Sequence, residues 1–246
     1  MKTNIKQPVG LQPVVDAVRD IVVHAEAYRS GVIRPAHMIV TLDPGNGQST
    51  LTRYIAESFA AHGVQPFSDL DLYLEFRAED SEEQLQGLLT QRRMAAVYTN
   101  AYDGVTAVDL SRLAADADED YVAGFLQALA EDNADTLVLY VPSVMSRSVR
   151  NLVNRIRTVL DGAVLYQVAP YTAQELAEIL KGMLADSGIE VQADEALDCA
   201  LADMVEQEHI GNLKQAKQLY RRLVLLANRS GFVPVLGAEE LKKGVK

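Results

Sequence analysis

HMIVTLDPGNGQSTLTRYIAESF, residues 37–59, holds three kinds of segment in succession. Met38-Ile39-Val40-Thr41-Leu42 is a short apolar, β-branched run, as a buried strand requires. Asp43-Pro44-Gly45-Asn46-Gly47 is dense in turn residues. From Ser49 onward, Leu51, Tyr54, Ile55, Ser58 and Phe59 fall on one face at helical spacing. Strand, glycine loop and helix in this order form the setting of a phosphate-binding loop. Its glycines let backbone N–H groups close around phosphate oxygens at a helix N-terminus, where the dipole favours an anion.

The match to that motif is incomplete. Against G-x-x-x-x-G-K-S/T, Leu42 stands at the first glycine, Gly47 keeps the second, and Ser49 keeps the metal-side hydroxyl. Gln48 replaces the lysine that reaches the β- and γ-phosphates. A glutamine donates a hydrogen bond but carries no charge. A bond to a charged group contributes about 1.5–3 kcal/mol and a neutral one roughly half of that. The stretch reads as a bare strand–turn–helix unit, as a weak nucleotide site or, third, as a site competent for hydrolysis.

Outward from the loop, strand and helix patterns alternate. Apolar spacing predicts a helix over residues 9–28, on Leu11, Val14, Val15, Val18, Ile21, Val22 and Ala25. Strands are expected at 70–76, 94–99, 136–141 and 163–168, and helices at 79–93, 118–130 and 148–160. This alternation predicts an α/β fold, a parallel sheet with helices on both faces, whose ligands sit at the carboxyl ends of the strands. After Pro170 the strand pattern stops. Thr172-Ala173-Gln174-Glu175 has capping-box spacing and opens a helix over 176–187. Two more helices are expected at 194–206 and 212–229. The domains are therefore expected at 1–169, α/β, and 170–246, a small all-helical lid.

Composition sets limits on function. The chain has 246 residues, 48% of them hydrophobic, with 34 acidic against 23 basic residues and a net charge of −11. That balance argues against nucleic acid and anionic membranes as partners, since both are held by clustered Lys and Arg. The single cysteine, Cys199, excludes an intramolecular disulfide and a thiolate zinc site, and its apolar neighbours suggest core packing. No apolar run approaches the ~20 residues of a membrane span, so a soluble, cytoplasmic chain is expected. His24, His37, His62 and His209 show no metal-ligand spacing, and residues 116–120 read as an acidic helix start. Arg147, Arg150, Arg155 and Arg157 crowd one predicted helix and suit a protein contact or self-pairing.

The order of segments resembles the AAA+ ATPases related to red-type rubisco activase, stage V sporulation protein K and the type VII secretion ATPases. Val9-Gly10-Leu11 is similar to the family's opening "IGL", and residues 37–64 to its strand, glycine loop and helix. Pro170-Tyr171-Thr172-Ala173-Gln174-Glu175-Leu176 is similar to "PDYTAEEL", and Gly211-Asn212-Leu213-Lys214 to "GNAR". Val97-Tyr98-Thr99-Asn100-Ala101-Tyr102 sits where the family has "LFIDEAY". The resemblance implies a P-loop NTPase sheet with a helical lid. It implies a nucleotide site of Pro44, Gly45, Asn46, Gly47, Gln48, Ser49 and Thr50, with Lys214 at the lid's sensor arginine. It places the polar tip of the sensor strand near Ser143 and the arginine finger near Arg155 and Arg157. It also puts Thr99 and Asn100 at the metal-side Asp and the water-orienting Glu. The pore-loop segment, residues 77–81, has neither Gly nor an aromatic residue.

With Gln48, Thr99 and Asn100 in those places, no catalytic or metal-ligating residue is expected. ATP or ADP is then a weak ligand, and Mg²⁺ a ligand without support from the residues. The function expected is that of a hydrolysis-deficient AAA+ module, a pseudo-ATPase. It would act as a protein-interaction or regulatory subunit, with an active AAA+ paralogue or its own copies in a ring. The alternative is an active or slow AAA+ ATPase that remodels a protein.

Overall fold

A computed structural model describes residues 5–29, 33–64, 73–77, 105–111, 136–191, 195–228 and 235–238, with residues 73–77 and 235 described by backbone alone. The chain divides into two compact units, Met1–Val168 and Ala169–Lys246.

The first unit is built on a parallel sheet of order β2-β3-β4-β1-β5. Its strands are β1 (Met38–Thr41), β2 (Tyr73–Arg77), β3 (Val105–Asp109), β4 (Thr136–Val141) and β5 (Val164–Gln167). β1 lies between β4 and β5, in register Thr41 with Val141 on one side and with Gln167 on the other. Every residue of β1 and β4 is buried, which is why both read as continuous apolar runs and not as alternating ones. The chain leaves β1 toward β2 and leaves β4 toward β5. Those two carboxyl ends therefore flank a topological switch point.

The expected first helix is two. α1 spans Gln12–Val23 and α2 spans Ala25–Arg29, with a break at His24. There the ring Nδ1 of His24 lies 2.8 Å from the Asp20 carbonyl oxygen, which otherwise serves the helix backbone. Leu11, Val14, Val15, Val18 and Ala25 are buried, as their spacing predicts; Ile21 and Val22 are half-buried.

α3, Gln48–His62, follows the glycine loop, and Leu51, Tyr54, Ile55, Ser58 and Phe59 are all buried as predicted. Full burial of Leu51, Ile55 and Phe59 stabilises the unit by about 1.5–3 kcal/mol each. α3 ends at Gly63, φ +69°, and Arg29 Nη2 donates to the His62 carbonyl at 2.8 Å.

The sheet departs from expectation beside β4. The neighbour of β4 is Val105–Asp109, for which no strand was anticipated. The expected strand at 94–99 and the expected helices at 79–93 and 118–130 lie outside the described residues. α4, Arg147–Val159, then carries the chain to β5 and buries Val149, Leu152, Val153 and Ile156.

The second unit holds α5 (Ala173–Asp186), α6 (Glu195–Gln207) and α7 (Leu213–Ala227). α5 opens with a full capping box: Glu175 N–H donates to Thr172 Oγ1, and Thr172 N–H to Glu175 Oε2. Leu176, Leu180, Leu184, Leu197, Leu201, Leu219 and Leu223 form its core. Two expectations are corrected here. The lid is not all-helical, because Glu190–Val191 pairs in parallel with Val235–Leu236 as β6 and β7. Cys199 is exposed and not core, since the buried face of α6 is the Leu197, Leu201, Val205 face. Among the described residues no helix is long and apolar enough to cross a membrane.

Candidate nucleotide site

The loop 42–47 joins β1 to α3 at the switch point. Gly45 (φ +86°) and Gly47 (φ +96°) hold left-handed backbone that a side chain disfavours. A Cβ built on Gly45 meets nothing within 4 Å, so the outer side of the loop is open. Pro44, Ser49 and Thr50 are exposed beside it, and Asn46 and Gln48 are half-buried.

Several polar groups of the loop are already engaged. Gln48 Nε2 donates to the Leu42 carbonyl at 2.7 Å, so the side chain at the lysine position turns back on its own loop. Asn46 N–H donates to the Asp43 carbonyl at 3.1 Å, and Leu42 N–H to the Val141 carbonyl at 2.9 Å. The Asp43 carboxylate accepts from Ser143 N–H at 3.0 Å and also from Ser143 Oγ. Ser143, expected at the tip of the sensor strand, therefore straps the end of β4 to the loop. Asp43 was not singled out from the sequence. Its negative charge, one residue into the loop, opposes a polyphosphate there.

Beneath the loop, Tyr140 OH donates to the Gln48 carbonyl at 2.9 Å and lies 2.7 Å from Thr52 Oγ1. Thr52 Oγ1 in turn donates to the same carbonyl at 3.0 Å. Tyr140 is 1% exposed and Thr52 is fully buried. This triangle fixes the first turn of α3 to β4. On the other flank, Val168 N–H donates to Thr41 Oγ1 at 2.9 Å.

β3 brings an acid to the same edge of the sheet. Asp109 ends the strand opposite Tyr140, and its Oδ1 accepts from Ser111 N–H at 3.0 Å and from Ser111 Oγ. The residue after it, Leu110, is fully buried and donates its N–H to the Tyr140 carbonyl at 2.8 Å. Thr99 and Asn100, matched to the acidic pair by resemblance, lie outside the described residues. The run Val105-Thr106-Ala107-Val108-Asp109 was the signal for this strand: apolar, β-branched and closed by an acid. The similar run at 94–99 competes with it in the sequence.

Of the remaining predicted residues, Lys214 is exposed in the first turn of α7, in the second unit. Arg157 is exposed on α4, and its Nε donates to the Ala163 carbonyl at 3.4 Å. Among the described residues no group of three or more His, Cys, Asp or Glu could hold a metal ion.

The strand order, the glycine loop between β1 and α3, and the acid closing β3 define the fold of an AAA+ P-loop NTPase. Comparison with solved structures gives RuvB of Thermotoga maritima as a neighbour. One RuvB variant matches with a TM-score of 0.58 at 16% identity, over 96% of this chain and 69% of that one. Another matches at 0.57 and 18%, with the same coverage. The structure described as the RuvB Holliday junction branch migration motor matches at 0.56 and 18%, over 94% of this chain and 68% of that one. No protein-family model and no curated protein matches the sequence.

Proposed function

We propose that this chain is a hydrolysis-deficient AAA+ module, related to the red-type rubisco activase and sporulation protein K group, that serves as a protein-interaction or regulatory subunit. The observation that carries this reading is the Gln48 amide bonded to the Leu42 carbonyl. The position that should carry a mobile cation toward the β- and γ-phosphates carries a neutral group turned inward. Asp43 adds a negative charge to the loop, and Leu110 stands next to Asp109, where a water-orienting acid would follow the metal-side one. Loss of one catalytic group already costs orders of magnitude, and groups that act as a unit do not add.

Nucleotide is then a weak ligand of Pro44, Gly45, Asn46, Gly47, Gln48, Ser49 and Thr50; Lys214 of the second unit is assigned to nucleotide by the resemblance alone. The backbone N–H groups at the start of α3 still favour phosphate. Mg²⁺ fits better than the sequence alone implied, because Asp109 offers a carboxylate on the edge where Ser49 offers a hydroxyl. Mg²⁺ is typically held by one or two carboxylates plus substrate phosphates. When bound, the ion would neutralise phosphate charge. The partners are proteins, an active AAA+ paralogue or further copies of this chain in a ring, in the cytoplasm. The net charge of −11 speaks against nucleic acid.

Asp109 favours one second reading, a slow ATPase that remodels a protein. Phosphate release separates the two. The proposed module stays at background over hours. A turnover near 1 per second, in the ordinary enzyme range, overturns the reading. Gln48→Lys should raise ATP affinity without restoring turnover, because Leu110 still supplies no base.

A further inference from the structure

The start of α3 keeps its phosphate-facing donors. The backbone N–H groups of Gly45, Gly47, Gln48 and Ser49 make no hydrogen bond among the described residues, and no side chain caps the helix at Gly47. In a phosphate-binding loop such groups cradle the α- and β-phosphates, and a lysine reaches on to the β- and γ-phosphates. A metal ion held by the loop hydroxyl and a strand-end carboxylate bridges the β- and γ-oxygens. A third phosphate therefore extends from the loop toward the β3 end of the sheet, where Asp109 lies. β4 stands between β1 and β3, so the residues just past the end of β4 flank that path.

On that side two side-chain donors are already engaged and a negative charge is added. Gln48 Nε2 is given to the Leu42 carbonyl at 2.7 Å. Ser143, just past β4, gives both its N–H, at 3.0 Å, and its Oγ to the Asp43 carboxylate. Asp43 is half-buried, so salt screens its charge less than that of a surface acid. The clasp itself does not require the charge. An asparagine at residue 43 could hold Ser143 as well, its Oδ1 accepting from the N–H and its Nδ2 donating to Oγ. In the first two turns of α3 the one cation is Arg53, exposed and about 6 Å beyond Ser49 along the helix axis.

We infer that Asp43 is a specificity-determining residue that makes the loop select a nucleoside diphosphate over the triphosphate. Its carboxylate takes, from within the chain, both donors that Ser143 could offer a ligand. Two phosphates need only the backbone N–H groups at the start of α3. A third needs a donor or a cation beyond them and meets a carboxylate instead. At about 8 Å, the reach of two to three residues of chain, one further unit of like charge weakens binding by a factor set by the dielectric. The factor is roughly 2 in water and roughly 30 at an effective value near 20. ADP is therefore held more tightly than ATP, by about fivefold or more. The loop then retains the product of hydrolysis and responds poorly to the triphosphate.

This inference rests on the proposed reading of the loop as a weak nucleotide site. Calorimetry on the full chain tests it with ADP, ATP and the non-hydrolysable β,γ-imido analogue of ATP. A chelator is present, so that no metal neutralises the phosphates. The wild type should bind ADP about fivefold or more tightly than either triphosphate. Asp43→Asn keeps the clasp and removes the charge, so triphosphate affinity should rise more than ADP affinity and bring the ratio close to one. Ser143→Ala removes one bond of the clasp and leaves the charge, so the preference for ADP should persist. A merely structural role for the clasp would move both nucleotides together. Asp43→Ser is a second neutral variant should Asp43→Asn fail to fold, as judged by circular dichroism. Equal affinities in the wild type, or an unchanged ratio in the neutral variants, overturns this inference alone. No binding of any nucleotide to the wild type or the neutral variants overturns it together with the nucleotide site. Turnover of ATP would overturn the hydrolysis-deficient reading and leave a preference set by Asp43 standing.

Discussion

Tyr140→Phe tests how the loop is held. The triangle of Tyr140 OH, Thr52 Oγ1 and the Gln48 carbonyl contains two hydroxyl protons for three contacts of 2.7–3.0 Å. Removing the phenolic oxygen leaves the Thr52 proton to serve the carbonyl. Within the triangle no group is orphaned, and the cost stays near the net worth of one hydrogen bond, about 1 kcal/mol. Thr52→Val leaves the Tyr140 proton for the same carbonyl and should cost about as much. The double variant strips that carbonyl of both side-chain donors. Because the first donor lost is covered by the second, the pair should cost more than the sum, with a coupling of about 0.5–1.5 kcal/mol. Urea unfolding followed by far-ultraviolet circular dichroism gives the three free energies, and hydrogen exchange at residues 48–52 localises the effect. A single Tyr140→Phe loss above ~3 kcal/mol, the scale of an unpaired buried group, or strict additivity of the two changes would refute this account.

Three further outcomes follow from the same geometry. Gly63→Ala should destabilise by about 1.5–3 kcal/mol, because φ is +69° and the new Cβ would stand 2.9 Å from Arg29 Nε, displacing the bond to His62. Gly162→Ala, at φ +75° with open space around it, should cost only about 1 kcal/mol, so equal losses by thermal melting would contradict the role of Arg29. Tyr171 is pushed up to about 12 from its ordinary 10, by burial first and by the Glu175 charge second. Its folded pKa lies above the unfolded one, so its contribution is fully present below pH 10 and is lost as pH rises from 10 to 12. Burial, then Asp20 and Tyr28, raise Tyr166 in the same direction. Tyr171→Phe should flatten the stability profile of the second unit in that window, and an unchanged profile would refute the assignment. Asp109→Asn should reduce whatever gain in nucleotide affinity Mg²⁺ gives, measured by calorimetry with and without the ion; an undiminished metal effect would remove Asp109 from the site.

The sequence by itself determined the sheet strands that are buried on both faces and the helices with one apolar face. β1 and β4 read as short apolar runs because both of their faces are covered, and α1 and α3 showed their buried faces by spacing. The Thr172–Glu175 capping box was legible because its partners lie three residues apart. Contacts between distant residues were not legible. The clasp from Ser143 to Asp43 and the triangle from Tyr140 to Thr52 join residues 100 and 88 positions apart. No local pattern encodes them. Two similar apolar runs, 94–99 and 105–109, carry equal strand signals. Tertiary pairing with β4 set Val105–Asp109 beside it and so brought Asp109, not a neutral residue, to the edge that carries the loop. The neutral Gln48 could be read from the motif, but its turn onto the Leu42 carbonyl could not. A side chain with no charge to present takes the nearest unmet acceptor, and only the folded loop decides which one that is.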